Sequence, residues 1–346
     1  MCFWLKLIFS FGRALTAQKR MGVPQLNRHL RTHCADNISQ LQLTALRGRR
    51  VAIDASIYMY RALSDDCLVE GMFQLLSVLR HCGVSPVLVF DGKAPAEKNA
   101  VLDERRERRR KATVRRGEIE ALLVECVDQD DREDLQSELN SAKKAAVRLR
   151  RSDVDAVREL CMSMGVAFVN AEGEADVLCA QLVNKKHVYA CLSEDMDMFA
   201  YGCKRVLRYL SLLARTVVMY DFDGIIETLD MTSSQFRDVC VLAGTDYNKG
   251  VCGRTPVARA MELHLAYRQE DTLGADFFEW CEKEGHLGAG GNAYALLVIS
   301  LMFKLANYEL PKGIGPHTFR DGPIAIENME RVLGPLGFVF LPPPPG

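Results

Sequence analysis

Short, strongly apolar runs that end in acidic residues recur along this chain, and they restrict the folds open to it. Residues 51–55 contain Asp54, residues 85–90 end against Asp91, and residues 188–192 lead into S-E-D-M-D, with Asp195 and Asp197 one residue apart. Apolar runs of this length read as strands covered on both faces. Residues 166–169, 206–210 and 217–220 read as further strands, the last two as a pair. Helical patterns lie between them at 68–82 and 174–183, and the chain beyond Asp221 is mainly helical, with Thr232 placed to cap a helix over 233–243. Alternating strands and helices predict an α/β fold with a mainly parallel central sheet flanked by helices. In such sheets ligands bind beyond the carboxyl ends of the strands, where Asp54, Asp91, Asp195 and Asp197 fall.

Three more acids share this setting: Glu174 and Asp176 in G-E-A-D, and Asp246 in L-A-G-T-D-Y. Any one of the seven could be a helix cap or a turn former. Seven converging carboxylates repel one another and cannot all stay ionised without cations between them. Oxygen-only donors suit two Mg²⁺ ions, and the lack of histidine or cysteine among them disfavours zinc.

The net charge of −1 conceals a basic run at 105–116, R-R-E-R-R-R-K-A-T-V-R-R, and an acid-rich stretch at 128–138. Residues 96–164 are nearly free of glycine and proline and read as two or three long helices, broken near 128–131. The 12 cysteines include no C-x-x-C pair, so buried free thiols in a reducing compartment are expected. No apolar stretch is long enough to span a membrane. Residues 1–20 have no acid and four basic residues, the composition of a weak mitochondrial targeting segment or of an upstream-start extension ahead of Met21-Gly22. We favour the second.

From Met21 to about Tyr247 the motifs resemble the flap-endonuclease branch of the structure-specific 5′ nuclease (XPG-like) family. They are M-G-V, V-A-I-D-A-S-I-Y-M-Y, P-V-L-V-F-D-G-K-A-P, G-E-A-D-V-L-C-A-Q-L, S-E-D-M-D-M-F-A-Y-G and Q-F-R-D-V-C-V-L-A-G-T-D-Y. The resemblance implies a PIN-like nuclease core with a helical arch and a C-terminal helical DNA-binding region. It also implies a Mg²⁺-dependent 5′-flap endonuclease with 5′–3′ exonuclease activity in DNA replication or repair, with Mn²⁺ able to substitute. Asp54, Asp91, Glu174, Asp176, Asp195, Asp197 and Asp246 match the family's metal-binding acids, Glu174 being a better match than Glu172. Lys98 and Arg105 match its catalytic basic residues, and Tyr60 its base-stacking tyrosine. Arg108, Arg109, Arg110 and Lys111 would guide the strand, with Gly22 and Gly244 as further DNA-contact positions.

The implied organisation is an extension at 1–20, an N-terminal nuclease region at 21–95, an arch at 96–165, an internal nuclease region at 166–247, a helical region at 248–340 and a proline-rich tail at 341–346. The chain departs from the family pattern in five places, the first being Asp176, where the flap branch usually has Glu and the exonuclease branch Asp. It is short between Tyr60 and Gly71, and Leu75 replaces a DNA-contacting arginine. Thr255 and Val257 replace a glycine and a lysine of the helix–two-turn–helix within 253–260, which puts a bound potassium in doubt, and no sliding-clamp motif is present. A monomer acting on DNA in the nucleus or another site of DNA replication is expected. The alternatives are a Holliday-junction resolvase-like or 5′-exonuclease relative and, in another class, an inactive nucleic-acid-binding scaffold. The spacer from Asp91 to Glu174 is too short for the excision-repair members.

Overall fold

The computed structural model describes residues 22–125, 129–248, 251, 254–270, 274–288, 290–315 and 318–340. A seven-stranded sheet is built from β1 (Ile38–Gln42), β2 (Arg50–Asp54), β3 (Ser85–Phe90), β4 (Ala167–Asn170), β5 (Ala190–Leu192), β6 (Arg205–Ser211) and β7 (Thr216–Asp221). Its order is β1-β7-β6-β5-β2-β3-β4. The strands from β6 to β4 pair in parallel, and β7 pairs antiparallel with both β6 and β1. Strands β2, β3 and β4 proceed in one direction across the sheet, whereas β5 returns to the other side of β2. The topological switch point therefore lies between β2 and β5, where a crevice opens at the carboxyl edge.

Alternation along the strands feeds two cores. Val51, Ile53, Leu88, Phe90, Ala190 and Leu192 face one side, while Ala52, Val87, Val89 and Cys191 face the other. The first side is covered by α2 (Ala55–Ser64), α3 (Leu68–His81) and α6 (Arg151–Met164). The second is covered by α1 (Leu26–His33), α7 (Ala175–Asn184), α10 (Ser233–Ala243), α11 (Val257–Gln269), α12 (Phe277–Lys283) and α13 (Ala293–Met302). Two more short helices, α8 (Asp197–Ala200) and α9 (Phe222–Thr228), follow β5 and β7. Burial on both faces explains why the central strands read as unbroken apolar runs. Strand β1, I-S-Q-L-Q, is a half-exposed edge strand with little apolar signal, and the sequence reading did not include it.

The charged region forms α4 (Asn99–Glu125) and α5 (Gln129–Ala146), packed on each other around Ile119, Leu139 and Ala142. The exposed α4 is stabilised instead by pairs three or four residues apart, Arg106–Asp103, Arg108–Glu104, Arg110–Glu107 and Arg116–Glu120. Arg115 joins the two helices through Glu138 at 2.8 Å. At its base, Lys144 of α5 bonds Asp65, just beyond α2, at 2.9 Å.

Grouped by sequence with the C-terminal helical region, α14 (Ile326–Leu333) instead packs on α6. Gly322 N–H bonds the carbonyl of Gly165, whose φ of 65° ends α6, and any side chain at Gly165 would strike the Gly322 carbonyl. Arg331–Glu159 and an edge-on Phe73–Phe338 contact complete this return. The nine described cysteines are unbridged, and no described helix is long and apolar enough to cross a membrane. The extension at 1–20, the tail at 341–346 and Gly253 lie outside the described residues.

Candidate active site

Five segments bring the acids to the switch point. Asp54 ends β2 and caps α2 by accepting from Ser56 N–H at 3.1 Å. Ser56 also donates its hydroxyl to Asp91 Oδ2 at 2.5 Å, which ties the ends of β2 and β3 together. Asp91 Oδ1 accepts from Ala175 N–H, at the start of α7, at 2.8 Å. The loops after β3 and β4 are themselves paired, Gly92 with Gly173 and Lys93 with Glu172. Glu174 and Asp176 are thereby held beside Asp91, while Glu172 is exposed.

Beyond β5 the chain turns so that Asp195 Oδ1 accepts from Asp197 N–H at 2.9 Å. Asp246 follows α10 in a turn fixed by Thr245 and Asn248, whose amide also donates to the Val241 carbonyl at 2.7 Å. Gly22, at φ 71°, lies against the Asp195–Asp197 turn. A Cβ there would strike Asp195 Oδ1 and approach Asp197 N to 2.6 Å.

The basic residues approach from the arch. Lys98 precedes α4, is 8% exposed, and donates to Glu174 Oε1 at 2.5 Å. Arg105, one and a half turns into α4, bonds Asp246 Oδ2 at 2.6 Å. Burial alone would depress the Lys98 ammonium, but Glu174, Asp176 and Asp195 together raise it, so it stays charged. Tyr247 donates to the other oxygen of Glu174, and its hydroxyl lies 3.2 Å from that of Tyr201.

The carboxyls of Asp54, Asp176, Asp195 and Asp197 lie above the ordinary carboxylate range. Burial is the largest cause. The neighbouring carboxylates add to it, Asp91 and Asp195 at Asp54, Asp54 at Asp176, Asp246 at Asp195, and Asp195 and Asp246 at Asp197. These repulsions connect all seven acids, Glu174 through its effect on Asp176. Folding thus favours the protonated forms of the four. Their contribution to stability is full at low pH and is lost as pH rises through the raised values. Metal-free protein is expected to unfold a few degrees higher at pH 5 than at pH 8, with divalent cation reversing the loss at pH 8. Thermal unfolding in EDTA, with and without added Mg²⁺, checks this.

Among the described residues no three acidic, histidine or cysteine side chains close on one point at metal-ligand spacing. The carboxylates are held by Ser56, Lys98, Arg105 and backbone amides instead. Asp176 Oδ1 and Asp197 Oδ1 are nonetheless buried with no hydrogen-bond partner. Hard oxygen donors, mutual repulsion and two unpartnered buried oxygens fit divalent cations of the Mg²⁺ class.

The remaining sequence candidates are spread more widely. Tyr60 projects from α2 with 39% exposure, which rules out simple core packing. Arg108 is exposed and paired with Glu104, and Arg109 lines a cleft of about 320 Å³ with Arg106, Arg110, Thr113 and Arg148. Gly244, at φ 107°, ends α10 beside Arg254. Leu75 and Val257 are each 1% exposed, so both positions where the resemblance expects a basic residue face the core. Ser56 and Tyr247 were not assigned roles from sequence, although both stand inside the quoted motifs.

Residues 21–112 match the family model for the XPG N-terminal domain, and residues 165–246 match that for the XPG I-region. The distal arch and α6 fall between the two. Flap endonuclease 1 of Drosophila mojavensis is 33% identical over 271 residues, covering 73% of this chain and 67% of that protein. The catalytic core of Rad2 in complex with DNA substrate superimposes with a TM-score of 0.61 at 20% identity, over 90% of this chain and 96% of that one. Human GEN1 in complex with Holliday junction DNA gives 0.63 at 19% identity, over 90% and 72%. At these identities the two structures bear on the fold.

Proposed function

Because the chain belongs to the XPG family of structure-specific nucleases, we propose that it is a Mg²⁺-dependent 5′-flap endonuclease with 5′–3′ exonuclease activity. It would hydrolyse phosphodiester bonds at single-strand/duplex junctions during DNA replication or repair. The observation that carries the reading is the neighbourhood of seven mutually repelling acids, with Lys98 bonded to Glu174 and Arg105 to Asp246 from the base of the arch. Two Mg²⁺ ions held by these acids, or Mn²⁺ in their place, would generate the nucleophile and neutralise charge on the leaving oxygen.

Lys98 and Arg105 would release their carboxylate partners to contact the scissile phosphate and offset its developing charge. Tyr60, exposed midway along α2, would stack on the flanking base. Arg108 and Arg109 would attract the single strand. A monomer working where DNA is replicated fits this role.

A second reading, a resolvase-like or 5′-exonuclease junction preference, draws support from the buried Leu75 and Val257. Both replace side chains with which a flap endonuclease would grip duplex. An inactive scaffold is disfavoured by the retention of all seven acids.

The test uses the Met21-start protein with labelled 5′-flap, nicked duplex and four-way junction DNA, in Mg²⁺ or EDTA. Cleavage of the 5′-flap strand at the single-strand/duplex junction, present in Mg²⁺ and absent in EDTA, is expected. Cutting mainly at the four-way junction would transfer the assignment to the second reading. No Mg²⁺-dependent cleavage of any of the three would sink the nuclease reading.

A further inference from the structure

Behind the acids lies a buried polar network that the proposed chemistry does not use. Arg208, in β6, and Glu194, beside Asp195, are only 6% and 4% exposed. Arg208 Nη2 donates to the Glu194 carbonyl at 2.9 Å, which is the peptide link leading into Asp195. Its Nη1 donates to Asn27 Oδ1, on α1, at 3.1 Å. Tyr209 N–H bonds Glu194 Oε1 at 2.7 Å, and Ser193 N–H bonds the Leu207 carbonyl at 3.2 Å. Three successive residues of β6 therefore pin two successive residues ahead of Asp195. Asn27 is fixed in turn by the hydroxyls of Tyr209 and Tyr220, at 2.9 and 2.7 Å. Asn27 follows closely on Gly22, which lies against Asp195 and Asp197.

We propose that Arg208 is a positioning residue that sets the Asp195–Asp197 turn for metal binding, by bridging the Glu194 peptide to Asn27 of α1. One guanidinium thus links the peptide ahead of Asp195 to the helix that follows Gly22. A role in stability alone fits the geometry poorly. Arg208 Nε is buried without a hydrogen bond, and its approach to Glu194 Oε2 is a loose 3.6 Å. Tyr209 beside it is held at φ 55°, at a register irregularity of β6. A buried pair of this quality contributes little net stability, although removing the arginine leaves Glu194 uncompensated. What it supplies is direction: a planar fork whose two nitrogens hold acceptors on different elements at fixed angles, which the single nitrogen of an ammonium does not reproduce.

The inference rests on the metal-dependent reading of the site, and its test separates the two. Arg208→Met, Arg208→Lys and Asn27→Leu are compared with the native protein. Mn²⁺ affinity is measured by calorimetry without DNA, flap-DNA affinity in EDTA, and cleavage rate in Mg²⁺. Arg208→Met is expected to weaken Mn²⁺ binding and slow cleavage by ~10–100-fold, the usual effect of losing an outer-sphere partner, with DNA affinity little changed. Arg208→Lys keeps the charge without the two-way bridge and should remain close to Arg208→Met. Asn27→Leu should weaken Mn²⁺ binding in the same direction.

Native Mn²⁺ affinity in a folded Arg208→Met protein would overturn the inference, as would full recovery by lysine. If Arg208→Met does not fold, Asn27→Leu decides, and native Mn²⁺ affinity there also overturns it. Failure of the native protein to cleave would remove the nuclease reading, while the calorimetry would still report on Arg208.

Discussion

Asp195→Ala protein is expected to bind 5′-flap DNA with native affinity and to cleave it at least ~10³-fold more slowly, about 4 kcal/mol of lost transition-state stabilisation. Asp195 lies at the centre of the cluster. It raises Asp54, Asp176 and Asp197, is itself raised by Asp246, and holds the turn through Asp197 N–H. Its loss therefore removes both a donor oxygen and the geometry of its neighbour. Unfolding would not explain the defect, because the side chain is a buried, repelled carboxylate. The metal-free variant should melt at or above the native temperature at pH 8. Single-turnover cleavage, fluorescence anisotropy in EDTA and thermal unfolding check the three parts. Cleavage within tenfold of native would remove Asp195 from the reacting centre.

Lys98→Met is expected to slow single-turnover cleavage by ~10²–10³-fold, in the range for removing one preorganised charge donor. Here the stability effect has the opposite sign. Lys98 is the ammonium nearest Glu174, at 2.5 Å, and its charge restrains Asp176, Asp195 and Asp197. Removing one member of a buried pair leaves the other charge uncompensated. Metal-free Lys98→Met should therefore melt below native at pH 8 and recover as the pH falls toward 5. The two substitutions thus move the melting temperature in opposite directions while both suppress cleavage. A Lys98→Met protein with native cleavage and a lowered melting temperature would assign the lysine to stability alone.

What was legible in the chain depended on whether the physical cause was local. The strands that position Asp54, Asp91 and Asp195 announce themselves because two-sided burial makes each an unbroken apolar run. Thr232 declares its helix start by side-chain chemistry, and the structure has its hydroxyl accepting from Gln235 N–H. Strand β1 stayed hidden because its order comes from pairing with β7, some 180 residues away, and its side chains are mostly polar. Ser56 was hidden for a similar reason. Nothing within its own segment indicates that its hydroxyl reaches Asp91, 35 residues on. Tyr247 reaches back 73 residues to Glu174, and Arg208 reaches back 181 to Asn27. Periodicity identifies faces, and motifs identify acids. The groups that aim those acids are supplied by the fold.

Gly22 carries a practical consequence. With no room for a Cβ between it and the Asp195–Asp197 turn, Gly22 stands directly beside the acids. A purification handle, a protease scar or an unprocessed leader joined there would share space with the incoming strand. Two preparations differing only by such a remnant could rank flap, nick and four-way junction in different orders. Handles belong at the other end of the molecule, and the residue joined to Gly22 should be verified by mass spectrometry before junction preferences are compared.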